Sequence, residues 1–206
     1  MYQKEMKLSI AEHGDISGYI KDIYFSMSYT YFQMGDRENQ LECLKKSLEI
    51  SEKVYGKVHQ ETAVCYEALY KQYISRWHEN HDKLFLDKCS EMIENLIEAQ
   101  SSHNGEESME VAEWYMEYSD FLRLKNDEDG CCSYMKIAMG LYSNLIEDTD
   151  ELWSDLYCRA SDSFLHFDDK EKSLEYLDKA IEICEVTGDI EAVESLLKYR
   201  NDTFKI

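Results

Sequence analysis

The chain has 206 residues, 44% of them hydrophobic, with no proline and only 8 glycines. This content allows a folded core and favours long helices over the many turns of an all-β fold. The formal net charge of −21, from 43 acidic and 22 basic residues, disfavours direct binding to nucleic-acid phosphates or anionic lipid, so the expected ligand is a basic or apolar protein segment.

Residues 1–6 contain no apolar run of the kind found in secretory signals, and nowhere do about 18 apolar residues follow one another, the length that crosses a membrane. The seven cysteines are scattered without the spacing of a disulfide framework. In a chain that shows no export signal, such cysteines are expected to be reduced thiols. The sequence therefore predicts a cytoplasmic protein.

Residues 31–50 predict the end of one helix, a corner at Gly35 and Asp36, and a second amphipathic helix. Glycine can take the left-handed conformation that stops the first helix, and aspartate can cap the free N–H groups that begin the second. The second helix carries one stripe at spacings of three and four, formed by Leu41, Leu44, Ser47 and Leu48.

The same unit recurs with corners at Asn126-Asp127 and Asp168-Asp169, and Asn126 and Asp168 lie 42 residues apart. Asn and Asp are, after glycine, the residues that best tolerate a left-handed corner. Equivalent positions around the three corners carry the same type of side chain: Tyr31, Leu122 and Phe164; Ser28, Ser119 and Ser161; Leu44, Met135 and Leu177; Ser47, Ala138 and Ala180. This repetition predicts an array of helix pairs.

A further copy of the unit is longer than the others. Tyr73 lies 42 residues after Tyr31 but 49 before Leu122, which places seven extra residues between Tyr73 and Cys89. Seven residues add about two helical turns. The extra residues therefore form either a longer corner or a longer pair of helices.

Both ends of the chain fit the same period. Residues 10–16 resemble residues 184–190, so the N-terminal residues are expected to be the second helix of a preceding repeat, which indicates either a fragment of a longer protein or a docking edge. Residues 190–204 predict a last amphipathic helix that covers the end of the array, with Val193, Leu196, Leu197 and Arg200 in line. The predicted single array over 1–206 consists of a half-repeat helix at 1–15, repeats at 16–55, 60–100 (with the insertion near 74–88), 109–147 and 151–187, and a capping helix at 190–204.

The junctions between repeats carry a resemblance to a known family. Residues 54–63, Val-Tyr-Gly-Lys-Val-His-Gln-Glu-Thr-Ala, resemble the Gly-x-x-His-Pro-x-x-Ala junction of kinesin-light-chain-type tetratricopeptide repeats, with Gln60 in place of the proline, and residues 103–112 are a weaker copy. The resemblance covers essentially the whole chain. It implies an all-α fold, an α-solenoid of antiparallel helix pairs with a right-handed superhelix, about four repeats and terminal helices. The chain departs from the family pattern at Gln40, where a small residue is expected, and in repeat two, which lacks a corner glycine.

In proteins of this family the first helices of the repeats line a concave groove that binds extended peptides or a helix of a partner. Transferring the groove positions to this chain implies that the binding residues are Phe25, Tyr29, Phe32, Glu67, Lys71, Ile74, Met116, Asp120, Arg123, Asp155, Asp162, Leu165 and His166. The family's clamp for chaperone C-terminal tails needs Lys and Asn at such positions, so that class of ligand is disfavoured. The implied partner has apolar anchors and basic flanks.

Phe25, Tyr29 and Phe32 also share one helical face, which is separate from the core stripe of Tyr24, Met27 and Tyr31. A second apolar face either binds a partner or packs on a neighbouring helix. Here the N-terminal half-repeat is the alternative neighbour, and homodimerisation through that unpaired helix is a further alternative.

Two groups of residues resemble chemical sites, but neither has the required spacing. His78 and His81, near Asp82 and Cys89, stand at i and i+3, whereas the zinc metalloprotease motif needs i and i+4. Cys131 and Cys132 are adjacent and do not form a Cys-x-x-Cys motif, and Cys89 and Cys131 fall on small buried positions that favour packing. We therefore predict no metal, no cofactor and no catalysis.

The leading hypothesis is an adaptor that holds a peptide or partner domain in its groove. The alternative is the ligand- or peptide-sensing part of a larger regulator, because bacterial pheromone receptors and repeat-linked peptidases resemble the chain in having repeats with Gly-Asp ends such as Gly188-Asp189. A metal protein or enzyme that uses residues 78–89 is the third hypothesis, and bound zinc in the purified protein would favour it.

Overall fold

The computed structural model describes residues 2–205, and within that range it contains ten α-helices and no β-strand. Their bounds are α1 Tyr2–His13, α2 Gly18–Gln33, α3 Arg37–Tyr55, α4 Gln60–Asn80, α5 Lys83–Asn104, α6 Met109–Leu124, α7 Glu128–Leu145, α8 Leu152–His166, α9 Lys170–Thr187 and α10 Ile190–Phe204. The predicted all-α class is confirmed. None of the described helices has the length and apolar character needed to cross a membrane.

Packing divides the helices into two units, α1 to α5 and α6 to α10. In the first unit α2 packs on α3 and α4 on α5, while α3 contacts α4 and α1 contacts α2. In the second unit α6 packs on α7 and α8 on α9, α8 contacts both α6 and α7, and α10 contacts α9. Consecutive helices joined by a short corner run antiparallel, which confirms the helix-pair architecture. A single continuous array over both units stays a prediction, and its first residue, Met1, lies outside the described residues.

Three predicted corners have the left-handed conformation that ends a helix. The φ angles are 71° at Gly35, 60° at Asn126 and 65° at Asp168. At each corner the N–H group of the next residue donates to the carbonyl five residues earlier: Asp36 to Tyr31, Asp127 to Leu122 and Asp169 to Phe164. This arrangement satisfies a carbonyl that the helix leaves free, so the corners end the first helices as the sequence predicts.

An aspartate at each of these corners begins the second helix. The Asp36 carboxylate accepts a hydrogen bond from the Asn39 N–H group at 3.2 Å, and Asp127 accepts one from Gly130 at 3.0 Å. Asp169 makes the equivalent bond with Lys172 at 3.1 Å. Each bond satisfies one N–H group that the first helical turn cannot pair internally.

The predicted landmark residues lie in the cores of the two units, except Tyr31, which is half-buried. Leu44, Met135 and Leu177 are 3%, 2% and 1% exposed, and all the small landmark residues are buried: Ser28, Ser47, Ser119, Ala138, Ser161 and Ala180. Small side chains let two helix backbones approach closely. At three of the crossings a hydroxyl group also bonds to the facing helix. The Ser47 Oγ atom donates to the Lys21 carbonyl at 3.1 Å, the Ser119 Oγ atom donates to the Cys131 carbonyl at 2.8 Å, and the Ser161 and Ser173 Oγ atoms lie 3.0 Å apart.

The seven extra residues lengthen the helices of the second pair. Helices α4 and α5 have 21 and 22 residues, whereas α6 and α7 have 16 and 18. The corner between α4 and α5 is only His81 and Asp82, with a φ of 55° at His81 and a hydrogen bond from the Leu84 N–H group to Asp82. The structure therefore corresponds to the longer helix pair and not to the longer corner.

Gln40 occupies a helix-crossing position where the family pattern has a small residue. Its Oε1 atom is buried and has no hydrogen-bond partner within the described part of the chain. A buried polar atom without a partner lowers the free energy of unfolding, typically by about 1–3 kcal/mol. The departure noted in the sequence thus has a local energetic consequence in the first helix pair.

Helix α10 packs on α9 without burying any residue completely. Val193 and Leu196 are half-buried, whereas Leu197 is 37% exposed and Ile190 is 73% exposed. The Arg200 guanidinium forms an ion pair with Asp178 of α9 at 2.8 Å. The predicted capping function of α10 stays a prediction.

Leu177→Ala should destabilise the second unit because its side chain is 1% exposed. We expect a loss of about 2–5 kcal/mol in the free energy of unfolding, since the substitution removes buried apolar area and leaves a cavity. Leu197→Ala, in the same unit but 37% exposed, is the matched control and should lose much less. Urea denaturation followed by circular dichroism measures both; equal losses would show that the predicted core register is incorrect.

Asp127→Ala should remove the hydrogen bond that begins α7. We expect a loss of about 1 kcal/mol in the free energy of unfolding, the usual effect of losing an N-cap. Asp129→Ala is the control, because Asp129 also lies in the first turn of α7 but is not its capping residue. The same denaturation assay applies, and a similar loss in the two variants would contradict a specific capping role.

Candidate functional site

The predicted binding residues lie on four helices, α2 and α4 in the first unit and α6 and α8 in the second. Neighbouring predicted residues come together within single helices, as with Tyr29 and Phe32 or Glu67 and Lys71.

Helix α2 exposes two aromatic side chains next to each other. Tyr29 is 66% exposed and Phe32 is 46% exposed, whereas Phe25 is half-buried. The Arg37 guanidinium lies 5.4 Å from the centre of the Phe32 ring. We call Tyr29 and Phe32 the aromatic face. The aromatic face differs from the buried aromatic residues of α4, such as Tyr66, which is 1% exposed. It leaves apolar surface in contact with water although the unit is folded.

Helix α1 packs on α2 but leaves the aromatic face open. The contact that the described side chains show is at the start of α2, where the His13 and Tyr19 rings stack with their centres 4.2 Å apart. Tyr29 and Phe32 are therefore exposed despite α1, contrary to the alternative that they pack on the N-terminal half-repeat. Homodimerisation through α1 stays a prediction.

The predicted residues of α4 are a charged pair and one aliphatic side chain. The Lys71 Nζ atom lies 2.5 Å from the Glu67 Oε1 atom, one helical turn away, and Ile74 is half-buried. An exposed pair at this spacing contributes only about 0.3–0.5 kcal/mol to stability. Both charges therefore remain available to a ligand at small cost.

The assignment of Met116 as a binding residue is wrong for this structure, because its side chain is only 1% exposed. Ala112 and Ser119, four residues before and three after it, are both completely buried. Residues at these spacings share one face of a helix. Met116 thus belongs to the core stripe of α6 and not to a ligand-binding surface.

Asp120 and Arg123 are engaged in an ion network between α6 and α8. The Arg159 Nε atom donates to Asp120 at 2.7 Å, and the Arg123 Nη2 atom donates to the other Asp120 oxygen at 3.4 Å. Burial alone would lower the pKa of Arg159, but the nearby carboxylates of Asp120, Glu117 and Asp155 raise it overall. These contacts assign Asp120 and Arg123 a structural role within the second unit.

Sequence reasoning missed Arg159. In the 42-residue register Asp162 is equivalent to Asp120, and Arg159 lies one turn before Asp162 on the next first helix. Arg159 therefore faces Asp120, the acidic residue at the equivalent place in the preceding repeat. The spacing of 39 residues between Asp120 and Arg159, about one turn short of the period, could have indicated this pair.

The predicted residues of α8 are largely exposed. Asp155, Asp162 and His166 are exposed and Leu165 is half-buried. The Tyr199 hydroxyl of α10 donates to Asp162 at 3.4 Å. Asp155 lies in the first turn of α8 and lines a cavity in the second unit.

This cavity, which we call the α8–α10 cavity, has a volume of about 590 Å³ and lies between α8, the end of α9 and α10. Its lining residues are Glu151, Ser154, Asp155, Cys158, Cys184, Thr187, Gly188, Asp189, Ala192, Ser195 and Leu196. Sequence reasoning missed Cys158, which is equivalent to Met116 in the 42-residue register. Burial, followed by the charges of Asp162 and Asp155, raises the pKa of the Cys158 thiol to about 11.

The cysteines are free thiols, and five of them are buried. Cys89 and Cys131 are both 0% exposed, which confirms that they occupy packed positions. Burial raises the pKa of the Cys89 thiol to about 12. A thiol with this pKa is protonated at neutral pH and is a poor nucleophile.

The described residues contain no group of three or more His, Cys, Asp or Glu side chains placed to hold a metal ion. His78 and His81 instead lie against the Trp77 ring, with centres 4.8 and 5.3 Å away.

Sequence comparison identifies the repeat. The tetratricopeptide repeat family model matches residues 21–54 and 154–187, which correspond to the α2–α3 and α8–α9 pairs. These two segments are tetratricopeptide repeats. No curated protein matches it.

Solved structures share its fold. BtubC (BKLC) from P. vanneervenii is similar with a TM-score of 0.67 and 17% identity over 82% of this chain, which spans 65% of BtubC. The nearly identical TPR-like repeats of a Podosopora anserina protein described as a kinesin light chain are similar with a TM-score of 0.62 and 10% identity, over 87% of this chain and 92% of that one. A single-residue variant of those repeats gives the same TM-score and identity. The helix pairs therefore share the fold of these structures.

Cys89→Ala should reduce the loss of stability at alkaline pH. The thiol pKa is about 12 in the folded chain against 9.0 as its ordinary value. Because folding raises this pKa, the free energy of unfolding is unaffected by the thiol below pH 9. It falls as the pH rises from 9 toward 12, by up to about 3 kcal/mol at pH 11.

Urea denaturation at pH 8 and pH 11 should therefore show a steeper decline for the wild type than for Cys89→Ala. Cys132→Ala, at a half-buried cysteine, is the matched control and should decline nearly as the wild type does. Parallel declines of wild type and Cys89→Ala would mean that folding does not perturb this thiol.

Proposed function

We propose that this tetratricopeptide-repeat chain is a non-catalytic adaptor that binds an extended peptide or partner segment at the aromatic face of α2. The observation that supports it best is the exposure of Tyr29 and Phe32, 66% and 46%, on adjacent turns of one helix. Tetratricopeptide repeats generally mediate protein–protein interaction. The chain has both the repeat and an uncovered apolar surface on one of its first helices.

The chemistry of the aromatic face suits a partner with apolar anchors. Tyrosine is among the residues that most often dominate binding energy in protein interfaces, because it offers a large rigid ring and a polar hydroxyl. Covering two such rings removes apolar area from water, which stabilises the complex by roughly 25 cal/mol per Å² before the costs of association. Binding at this face therefore needs no covalent step.

The net charge of −21 favours a partner whose flanks are basic. Exposed charges around an interface mainly accelerate the encounter and exclude partners of like charge. On α4 the Glu67 carboxylate belongs to a weak surface pair, so it can exchange Lys71 for a basic group of the ligand. We accordingly propose that apolar residues provide the affinity and carboxylates provide the selectivity.

The groups with strongly shifted pKa values support a structural rather than a catalytic role. Burial alone would lower the pKa of Lys21, but hydrogen bonds to Asp22 and Glu61, at 2.8 and 2.5 Å, raise it. Burial and a hydrogen bond donated to Glu52 raise the pKa of Tyr66. In each case the shift has a packing or ion-pair cause that requires no substrate.

We further propose that the adaptor acts in the cytoplasm. Seven free cysteines support this location, because thiols stay reduced there, whereas oxidising compartments favour disulfides.

A Tyr29→Ala/Phe32→Ala double variant should lose the partner while keeping its fold, because both side chains are exposed. The tagged full chain is used to capture proteins from an extract of the native cells, and captured proteins are quantified by mass spectrometry. We expect the specifically captured partner to fall at least about tenfold with the double variant, the effect of losing one hot-spot interaction.

Tyr19→Ala is the matched control, an aromatic residue of the same helix that is 61% exposed but lies on a different face. It should retain the partner. Thermal melting of all three proteins checks that the fold is intact. Equal retention by the double variant and the wild type, at equal stability, would overturn the proposed use of the aromatic face.

A further inference from the structure

The α8–α10 cavity combines an apolar floor with an acidic rim. We propose that it is a subsite for one lysine or arginine side chain of a peptide ligand. This inference rests on the proposed function, peptide binding. It adds which type of ligand residue is recognised and where on the chain that residue binds. The site lies entirely within the second unit.

The floor of the cavity suits the aliphatic part of such a side chain. Cys158 and Leu196 are half-buried, and Cys184 is 4% exposed. The Cys184 thiol lies 3.0 Å from the Ser154 hydroxyl, so the polar atoms of this pair satisfy each other. Lysine and arginine bury their methylene groups on surfaces of this kind and keep the charged end near water.

The rim of the cavity suits the charged end. Glu151, Asp155 and Asp189 line it, and the described lining residues include no lysine, arginine or histidine. The Asp189 carboxylate accepts the capping hydrogen bond from Ala192 at 3.0 Å through one oxygen, which leaves its second oxygen for another donor. Three acidic residues that line one cavity favour a cation over an anion.

The nearest basic residue of α8 is already engaged. Arg159 lies one turn after Asp155, but its hydrogen bond goes to Asp120 of α6, and its guanidinium also lies 3.5 Å from Glu117. The pKa of the Cys158 thiol is raised first by burial and then by the charges of Asp162 and Asp155. Of the rim residues, Asp155 thus acts on the Cys158 thiol despite Arg159, together with Asp162 outside the cavity lining.

Other occupants fit the cavity less well. An apolar side chain would take the rim carboxylates out of water without a partner, which costs free energy. A metal ion needs several ligands at one point, and the described residues contain no such group. The volume of about 590 Å³ is within the range of sites that hold a small ligand, so a side chain with its adjoining backbone can enter.

The test selects peptides with the full chain itself. A phage library of random peptides is panned in parallel against the wild type, Asp155→Asn, Asp202→Asn and the Tyr29→Ala/Phe32→Ala variant. Asp155→Asn keeps the shape of the side chain and removes one rim charge. Asp202→Asn is the matched control, because Asp202 is an exposed residue of α10 outside the cavity lining.

We expect the wild-type and Asp202→Asn selections to share a fixed lysine or arginine, and the Asp155→Asn selection to lose it. A synthetic peptide from the wild-type selection, labelled for fluorescence anisotropy, should bind Asp155→Asn about tenfold more weakly. Replacing its lysine by norleucine, or its arginine by citrulline, should weaken binding to the wild type by a similar factor. The same replacement should have little further effect on Asp155→Asn, because the two changes remove the same interaction.

The outcomes separate this proposal from the proposed function. Selected peptides without a fixed basic residue, or with one that survives in Asp155→Asn, would overturn the subsite and leave peptide binding intact. Peptides whose affinity is unchanged in the Tyr29→Ala/Phe32→Ala variant would overturn the use of the aromatic face and leave the subsite intact. Failure to enrich any peptide on the wild type would overturn both.

Discussion

The close crossing of the two helices within each pair is the constraint on which the other features depend. Ser119 and Ser161 allow this approach because they are small, and their hydroxyl groups bond to the facing helix at Cys131 and Ser173. A larger residue at such a point must find space or leave a polar atom unsatisfied, as Gln40 does. Once each crossing is fixed, large apolar residues can be buried only on the face of the helix that meets its partner. The opposite side of the first helix is then free to carry residues that packing does not require.

The features that could be predicted from the sequence are those whose cause is local. A left-handed residue followed by aspartate ends one helix and begins the next with backbone bonds that span only a few residues, so Gly35, Asn126 and Asp168 were recognisable in the chain alone. The repeat period then placed the core, because a residue buried at one crossing is buried at the next. The seven-residue insertion does not disturb the core pattern. It adds about two helical turns, shared between α4 and α5, so the buried face of each helix keeps nearly the same direction.

The parts that could not be predicted depend on contacts between repeats. Aligning a residue with a position of the family pattern shows where it lies on its own helix, but not how neighbouring helices cover it. Met116 was aligned with a groove position and is nevertheless buried. Asp120 was assigned to a ligand, whereas its partner Arg159 lies 39 residues further on. Only the helix packing brings the two together. The α8–α10 cavity has the same origin, since α10 follows the short Gly188-Asp189 corner instead of the longer junction of a full repeat.

An acidic chain can nevertheless be selective because its carboxylates differ in the partners they already have. Asp120 is neutralised by Arg159 inside the second unit, so it adds little to the field that an approaching ligand meets. Glu151 and Asp155, on the rim of the cavity, are paired in no ion bridge of the described residues and contribute to that field. Such a field acts over about 8 Å at physiological salt and raises the rate of encounter with basic segments. Contact with Tyr29 and Phe32 is not screened by salt, so it determines how long a segment stays. Rising ionic strength should therefore slow association far more than it speeds release, which separates the contributions of charge and aromatic contact without any change to the chain.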